Sequence, residues 1–270
     1  MKITVIADNI AHYPFREEHG LALFVEYKGR KILFDCGNGG VLVENMNNAG
    51  IEFADITDII LSHGHYDHTG GLSEVLRLTE NATVWSTSGI NSTHYSCHAG
   101  KDARNISVPA GVCSIWQKYP HKKTVDTPVC IADGIWLSGM IPRVSGEDTG
   151  GPFFVDPCGQ KSDMINDELA LLLDNGTLIQ GCCHAGIINT MTYFQHICPD
   201  ISIKRIVGGL HLLHAGHDRL LATARFLDNA ALEEILLLHC TGDGACEYLK
   251  NFLGCKVIVG YAGLILTENS

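Results

Sequence analysis

Three imidazoles and a carboxylate fall within the run His63-Gly64-His65-Tyr66-Asp67-His68. On an extended turn after a strand, His63 and His65 stand two apart and project to the same side. Asp67 and His68 then aim at a neighbouring point where the chain turns into a helix. Imidazole and carboxylate at that spacing are ligands for two adjacent cations. Zn²⁺ suits them, and so do Fe²⁺ and Mn²⁺, so the residue types alone do not name the metal. A single histidine at a strand end would ordinarily be a packed or solvated side chain, but four ligand groups this close together, backed by Gly70-Gly71, need another cause. A divalent cation lowers the pKa of bound water and polarises the bond under attack. The chemistry predicted is therefore metal-assisted hydrolysis or a related transformation, with Asp67 as the catalytic group that orients the nucleophile.

The elements that must position this run are legible around it. Residues 56–61 form an apolar, β-branched run that predicts a buried strand ending at His63. Strands are expected over 3–7, 21–27 and 31–34, with Lys28-Gly29-Arg30 as a hairpin turn, followed by a helical pattern over 41–49. A helix from Gly70 through Leu78 and a strand over 82–85 complete the first half. In the second half, strands over 169–173 and 177–181 flank Asp174-Asn175-Gly176, and Asn-Gly suits a primed two-residue turn. A regular pattern covers 129–137, helices are expected over 187–197, 216–227 and 244–252, and strands over 203–207, 235–238, 257–259 and 264–266.

Between residues 86 and 127 the pattern weakens and Ser, His, Gly and Lys accumulate, which reads as a lid inserted in the domain. His94 and His98 fall there and read as surface-loop residues rather than a third metal site. The basic stretch Lys118, His121, Lys122, Lys123 reads as a solvated loop, and Asp167-Glu168 as a solvated acidic turn.

A chain of 270 residues with 46% apolar and 18% charged residues is expected to form one globular domain over 1–270. It has no apolar run of membrane-spanning length and begins directly on a strand pattern, so a cytoplasmic protein is expected, with its eleven cysteines as free thiols. The net charge of −11, without any aromatic-interleaved basic stripe, argues against nucleic acid and for a small-molecule substrate.

The His-x-His-x-Asp-His run after a buried strand resembles the hallmark of the metallo-β-lactamase superfamily. Glu18-His19-Gly20-Leu21, Ile32-Leu33-Phe34-Asp35, Gly181-Cys182-Cys183-His184-Ala185-Gly186-Ile187 and Gly208-Gly209-Leu210-His211-Leu212 narrow the resemblance. Together they are similar to the archaeal and bacterial subgroup that includes 7,8-dihydropterin-6-methyl-4-(β-D-ribofuranosyl)aminobenzene-5'-phosphate synthase. The resemblance runs from residue 3 to residue 266 and weakens over 86–127. It implies an α/β, four-layer αββα sandwich of two mixed sheets flanked by helices, with metals among the loops that follow strands.

The resemblance further implies one or two divalent metal ions, zinc foremost, with iron or manganese as alternatives. His63, His65 and His184 would hold one, and Asp67, His68 and His239 the other. In the superfamily's commonest form a Gly-Asp ends a hairpin strand and its carboxylate bridges two metals. Gly181-Cys182 takes that place here, so Cys182 is a further candidate ligand. His211 is a candidate for contact with substrate, for metal ligation or for support of a ligand, and Asp35 for metal ligation or for orienting the ligand loop by hydrogen bonds. Asp8 and Arg143 are candidates for substrate contact. Arg143 lies in Gly139-Met140-Ile141-Pro142-Arg143, where Met140 replaces a glutamate common in the family. The subgroup points to a phosphorylated or pterin-like substrate. Rival readings are an ester, lactone or phosphodiester hydrolase unrelated to pterins, and a non-enzymatic metal-dependent ligand sensor.

Overall fold

A computed structural model describes residues 1–79 and 81–268. The chain divides into two compact units, the first made of Met1–Thr93, Ile106–Thr124 and Gly260–Ser270, the second of His94–Asn105 and Val125–Val259.

The first unit starts as a meander. Strands β1 (Lys2–Ala7), β2 (Ala22–Tyr27) and β3 (Arg30–Phe34) pair antiparallel. Lys28 and Gly29 both take positive φ, the primed turn that suits the twist of two adjoining strands. The sheet then grows by parallel strands. Helix α1 (Leu42–Asn48) leads to β4 (Asp58–Ile60), the short α2 (Tyr66–Thr69) and α3 (Leu72–Leu78) lead to β5 (Thr83–Ser86), and α4 (Ala110–Trp116) leads to β8 (Lys122–Thr124). Strand β17 (Ile265–Thr267) pairs with the free side of β1. Leu42, Met46, Leu72, Val75, Val112 and Trp116 press the helices against Ile6, Phe24, Leu33, Ile59 and Val84. In β2 the alternate residues Leu23 and Val25 are buried too, so both faces are apolar and the strand reads as a continuous run.

The second unit repeats the plan. Strands β9 (Val129–Ala132), β10 (Ile135–Leu137), β12 (Leu171–Leu173) and β13 (Thr177–Ile179) pair antiparallel. Helices α5 (Ile187–Ile197), α6 (His217–Asn229) and α7 (Asp243–Leu253) then alternate with the parallel strands β14 (Arg205–Gly208), β15 (Glu234–Leu237) and β16 (Val257–Val259). The helices bury Met191, Phe194, Leu227 and Leu249 against Leu172, Leu178, Ile206 and Ile235. A small antiparallel sheet joins β6 (Tyr95–Ser96), β7 (Arg104–Asn105) and β11 (Phe153–Phe154). Each unit is thus a mixed sheet flanked by helices. Among the described residues no helix is long and apolar enough to cross a membrane.

The weakly patterned segment 86–127 holds α4 and the strands β6, β7 and β8, which are only two or three residues long and register no period. Lys122 and Lys123 are not in a solvated loop but on the exposed edge strand β8, with ammonium groups 5.5 Å and 4.7 Å from the ring centres of Trp116 and Trp85. Charge on an edge strand hinders pairing with another chain.

Candidate metal centre

In the first unit the ligand run leaves β4 extended and closes into α2 only at Tyr66. His63, His65, Asp67 and His68 are all buried. His63 Nε2 and His65 Nδ1 lie 3.0 Å apart, and the His63 ring centre is 4.3 Å from that of His68. Two nitrogens bound tetrahedrally to one zinc at about 2.05 Å would stand roughly 3.3 Å apart, so this pair fits a single cation.

One buried carboxylate sets the ring orientations. Asp35 Oδ1 accepts the Ser62 N–H at 2.7 Å, and Oδ2 accepts the Ser62 hydroxyl and His68 Nδ1, each at 2.7 Å. Because Ser62 spends its only hydroxyl hydrogen on Asp35, its oxygen must accept from His63 Nδ1, 2.9 Å away. The neutral forms of His63 and His68 therefore carry hydrogen on Nδ1 and present a lone pair at Nε2, the state a metal requires. Burial lowers the His68 pKa, but the charge and hydrogen bond of Asp35 more than offset this and hold it above its ordinary value. Asp35 has φ 58°, a left-handed conformation costly for a non-glycine residue, which the surrounding hydrogen bonds maintain.

The flanking motifs acquire physical roles. A Cβ on Gly70 would lie 2.3 Å from Asn38 O and one on Gly71 2.3 Å from Cys36 O, so the paired glycines admit the loop that carries Asp35. Glu18 braces that loop by accepting the N–H groups of Asn38, Gly39, Gly40 and Val41 at 2.8–3.2 Å. His19 Nε2 lies 3.1 Å from Asp67 Oδ2, a contact that the two motifs carrying these residues do not reveal in sequence.

The second unit offers its candidates from the ends of neighbouring strands. Cys182 and His184 follow β13, His211 follows β14 and His239 follows β15. His184 Nδ1 faces the carbonyl of Thr149 at 2.8 Å, which fixes hydrogen on Nδ1 and the lone pair on Nε2. Its ring centre lies 4.4 Å from that of His211, and the Phe153 ring stands nearly perpendicular to both. Cys183, His211 and His239 all have positive φ.

Asp167 and Glu168 are buried rather than in a solvated turn. Glu168 accepts the N–H groups of His184 and Ala185, each at 2.6 Å. Burial pushes its carboxyl up to about 7, against the downward pull of those two N–H groups and Arg143. Arg143 donates to the carbonyls of Met164 at 2.9 Å and of His184, so its guanidinium braces the histidine's backbone. Asp8 is buried, with Oδ2 3.3 Å from the N–H of Ile10. His94, expected on a surface loop, is buried with Nδ1 2.5 Å from Asp163 and Nε2 3.8 Å from Asp167. Polar residues dominate the sequence around His94, but its partners lie about seventy positions away, where no local pattern reveals them.

Residues 16–130 match the family model described as the Metallo-beta-lactamase superfamily. In its fold and in this run of candidate ligands the chain resembles that superfamily. It is similar to a crystal structure of a metal-dependent hydrolase of the β-lactamase superfamily, with a TM-score of 0.86, 29% identity and coverage of 100% of each chain. It is also 29% identical to an uncharacterised protein of Methanocaldococcus jannaschii, over 98% of this chain and 99% of that one. A 7,8-dihydropterin-6-methyl-4-(β-D-ribofuranosyl)-aminobenzene-5'-phosphate synthase of the same organism is 26% identical over 90% of this chain and 88% of its own length.

Proposed function

We propose that the chain is a metal-dependent, hydrolase-type enzyme that acts on a small, phosphorylated or pterin-like molecule. His63, His65, Asp67, His68, His184 and His239 are assigned as ligands for one or two divalent ions, zinc foremost. The observation that carries this reading is the buried Asp35 network, which spends one carboxylate on orienting two imidazoles with Nε2 lone pairs presented. A bound divalent cation would supply water activation and polarisation of the scissile bond. Asp67, held by His19, is the chain's own carboxylate beside the ligand histidines and can orient the attacking water and hold its proton. Glu168 and Arg143 keep the His184 backbone in place from its N–H and carbonyl sides. The substrate class rests on similarity to the synthase, and the similarity to a metal-dependent hydrolase supports ester, lactone or phosphodiester hydrolysis as the second reading.

Protein purified without oxygen, analysed for metals and then screened against phosphorylated pterins, esters, lactones and phosphodiesters, tests both readings. Turnover of a phosphorylated pterin that His65→Ala removes supports the first. Turnover confined to simple esters supports the second, and activity unchanged by His65→Ala sinks both.

A further inference from the structure

A group of sulfur and nitrogen donors lies wholly within the second unit. Cys182 Sγ, Cys240 Sγ and a ring nitrogen of His211 are all within 4.8 Å of one another. Both cysteines are buried. The three residues come from the ends of the neighbouring parallel strands β13, β14 and β15, far apart in sequence. Two sulfurs bound tetrahedrally to one zinc at about 2.3 Å stand roughly 3.8 Å apart, a separation inside the 4.8 Å limit that the three donor atoms keep.

The surroundings are shaped for these side chains. A Cβ on Gly209 would stand 2.4 Å from Cys240 Sγ, and one on Gly150 would stand 2.3 Å from His211 Nδ1. Gly209 is not among the residues with positive φ, so space and not backbone conformation requires glycine there. The three loops are tied together: Gly209 N–H donates to Gly181 O at 2.8 Å, Leu210 N–H to Thr241 Oγ1 at 3.1 Å, and the Thr241 hydroxyl to Leu238 O at 2.9 Å. Cys183, between Cys182 and His184, instead lies with Sγ 3.8 Å from Thr190 Oγ1 on α5, and belongs to the apolar core. The chain therefore separates one thiol for packing from one gathered with a second thiol and an imidazole.

We propose that Cys182, Cys240 and His211 form a sulfur-rich site for a thiophilic divalent cation, Zn²⁺ or Co²⁺, and give the protein a preference for such ions over Mg²⁺ or Mn²⁺. The proposal rests on the reading of this chain as a metal protein and joins Cys240 and His211 to the candidate ligand Cys182. Each thiol that binds releases its proton to solvent and ligates as thiolate.

Titration of the metal-free full chain with Co²⁺ under anaerobic conditions distinguishes this proposal from the broader one. Bound cobalt with thiolate ligands gives a near-ultraviolet sulfur-to-metal band besides its visible absorption. That band is expected in the parent, reduced by about half in Cys182→Ser and in Cys240→Ser, and absent from the double variant. Gly209→Ala keeps every ligand but crowds Cys240, and is expected to weaken cobalt binding about tenfold. Visible absorption without the near-ultraviolet band would overturn the sulfur site and leave the histidine ligands standing. A band that survives in the double variant would overturn it as well, and no bound cobalt would overturn both readings. Should a serine variant fail to fold, alkylation of the parent decides: Zn²⁺ is expected to protect Cys182 and Cys240 at least tenfold, and equal labelling with and without Zn²⁺ would overturn the site.

Discussion

The two units build their sheets alike and equip them differently. In each, an antiparallel meander is followed by three helical crossovers that add parallel strands, β4, β5 and β8 in the first and β14, β15 and β16 in the second. In each, candidate ligands stand at the carboxyl ends of those strands, where loops converge in an open α/β sheet. The first unit draws imidazole and carboxylate from one contiguous run. The second gathers imidazole and sulfur from three separate strand ends. Their supporting carboxylates differ too, since Asp35 holds imidazole nitrogens whereas Glu168 holds the backbone. A contiguous run can be read without the fold, but a dispersed set exists only once the strands are in order.

The strongest test of this contrast is metal content. His63→Ala or His65→Ala should abolish binding at the first site and lower turnover by about a thousandfold or more. His239→Ala should mainly empty the second. Elemental analysis that returns equal metal for all three would refute the assignment.

The two carboxylates separate at the next level. Asp35→Asn places an amide N–H₂ against donors that need an acceptor, and should cost about 3 kcal/mol in urea unfolding and 10–100-fold in metal affinity. Glu168→Gln leaves one good acceptor for two N–H groups and should cost metal affinity about tenfold, through looser placement of His184. If chelator competition ranks Glu168→Gln as the more damaging, imidazole orientation is not what distinguishes the first unit.

A pH effect should come from the second unit. Burial lowers the His94 pKa, but the Asp163 hydrogen bond and the charges of Asp167 and Asp163 outweigh it, so the folded value is raised above 6.5. The interaction is then fully present below that unfolded value and is lost as pH rises through the folded one. Parent protein should exceed His94→Gln in stability by about 2 kcal/mol on the acidic side, and the gap should close toward alkaline pH. A gap that widens with pH in thermal melts would reverse the assignment. The smallest effect is expected at the edge of the first sheet, where Lys123→Ala should cost about 0.5 kcal/mol and leave metal content unchanged. A change in metal content there would tie the edge strand to the ligand run.

What the sequence by itself determined is local. The spacing from His63 to His68, a turn at Asp174-Asn175-Gly176 between β12 and β13, and the helices at 187–197, 216–227 and 244–252 are legible because turn chemistry and 3.6-residue periodicity act over a few positions. That turn is a three-residue loop with positive φ at Gly176 and not at Asn175, instead of the primed two-residue turn expected. The region 129–137 reads in the sequence as one regular pattern, and the structure divides it at Asp133-Gly134 into the paired strands β9 and β10. Tertiary structure alone decided that Ser62 relays between Asp35 and His63, that Asp167 and Glu168 are buried, that His94 sits beside Asp163, and that Cys240 lies near Cys182. For Asp167, Glu168 and His94 a polar group is buried beside partners well removed along the chain, and composition around either residue alone still reads as solvated loop.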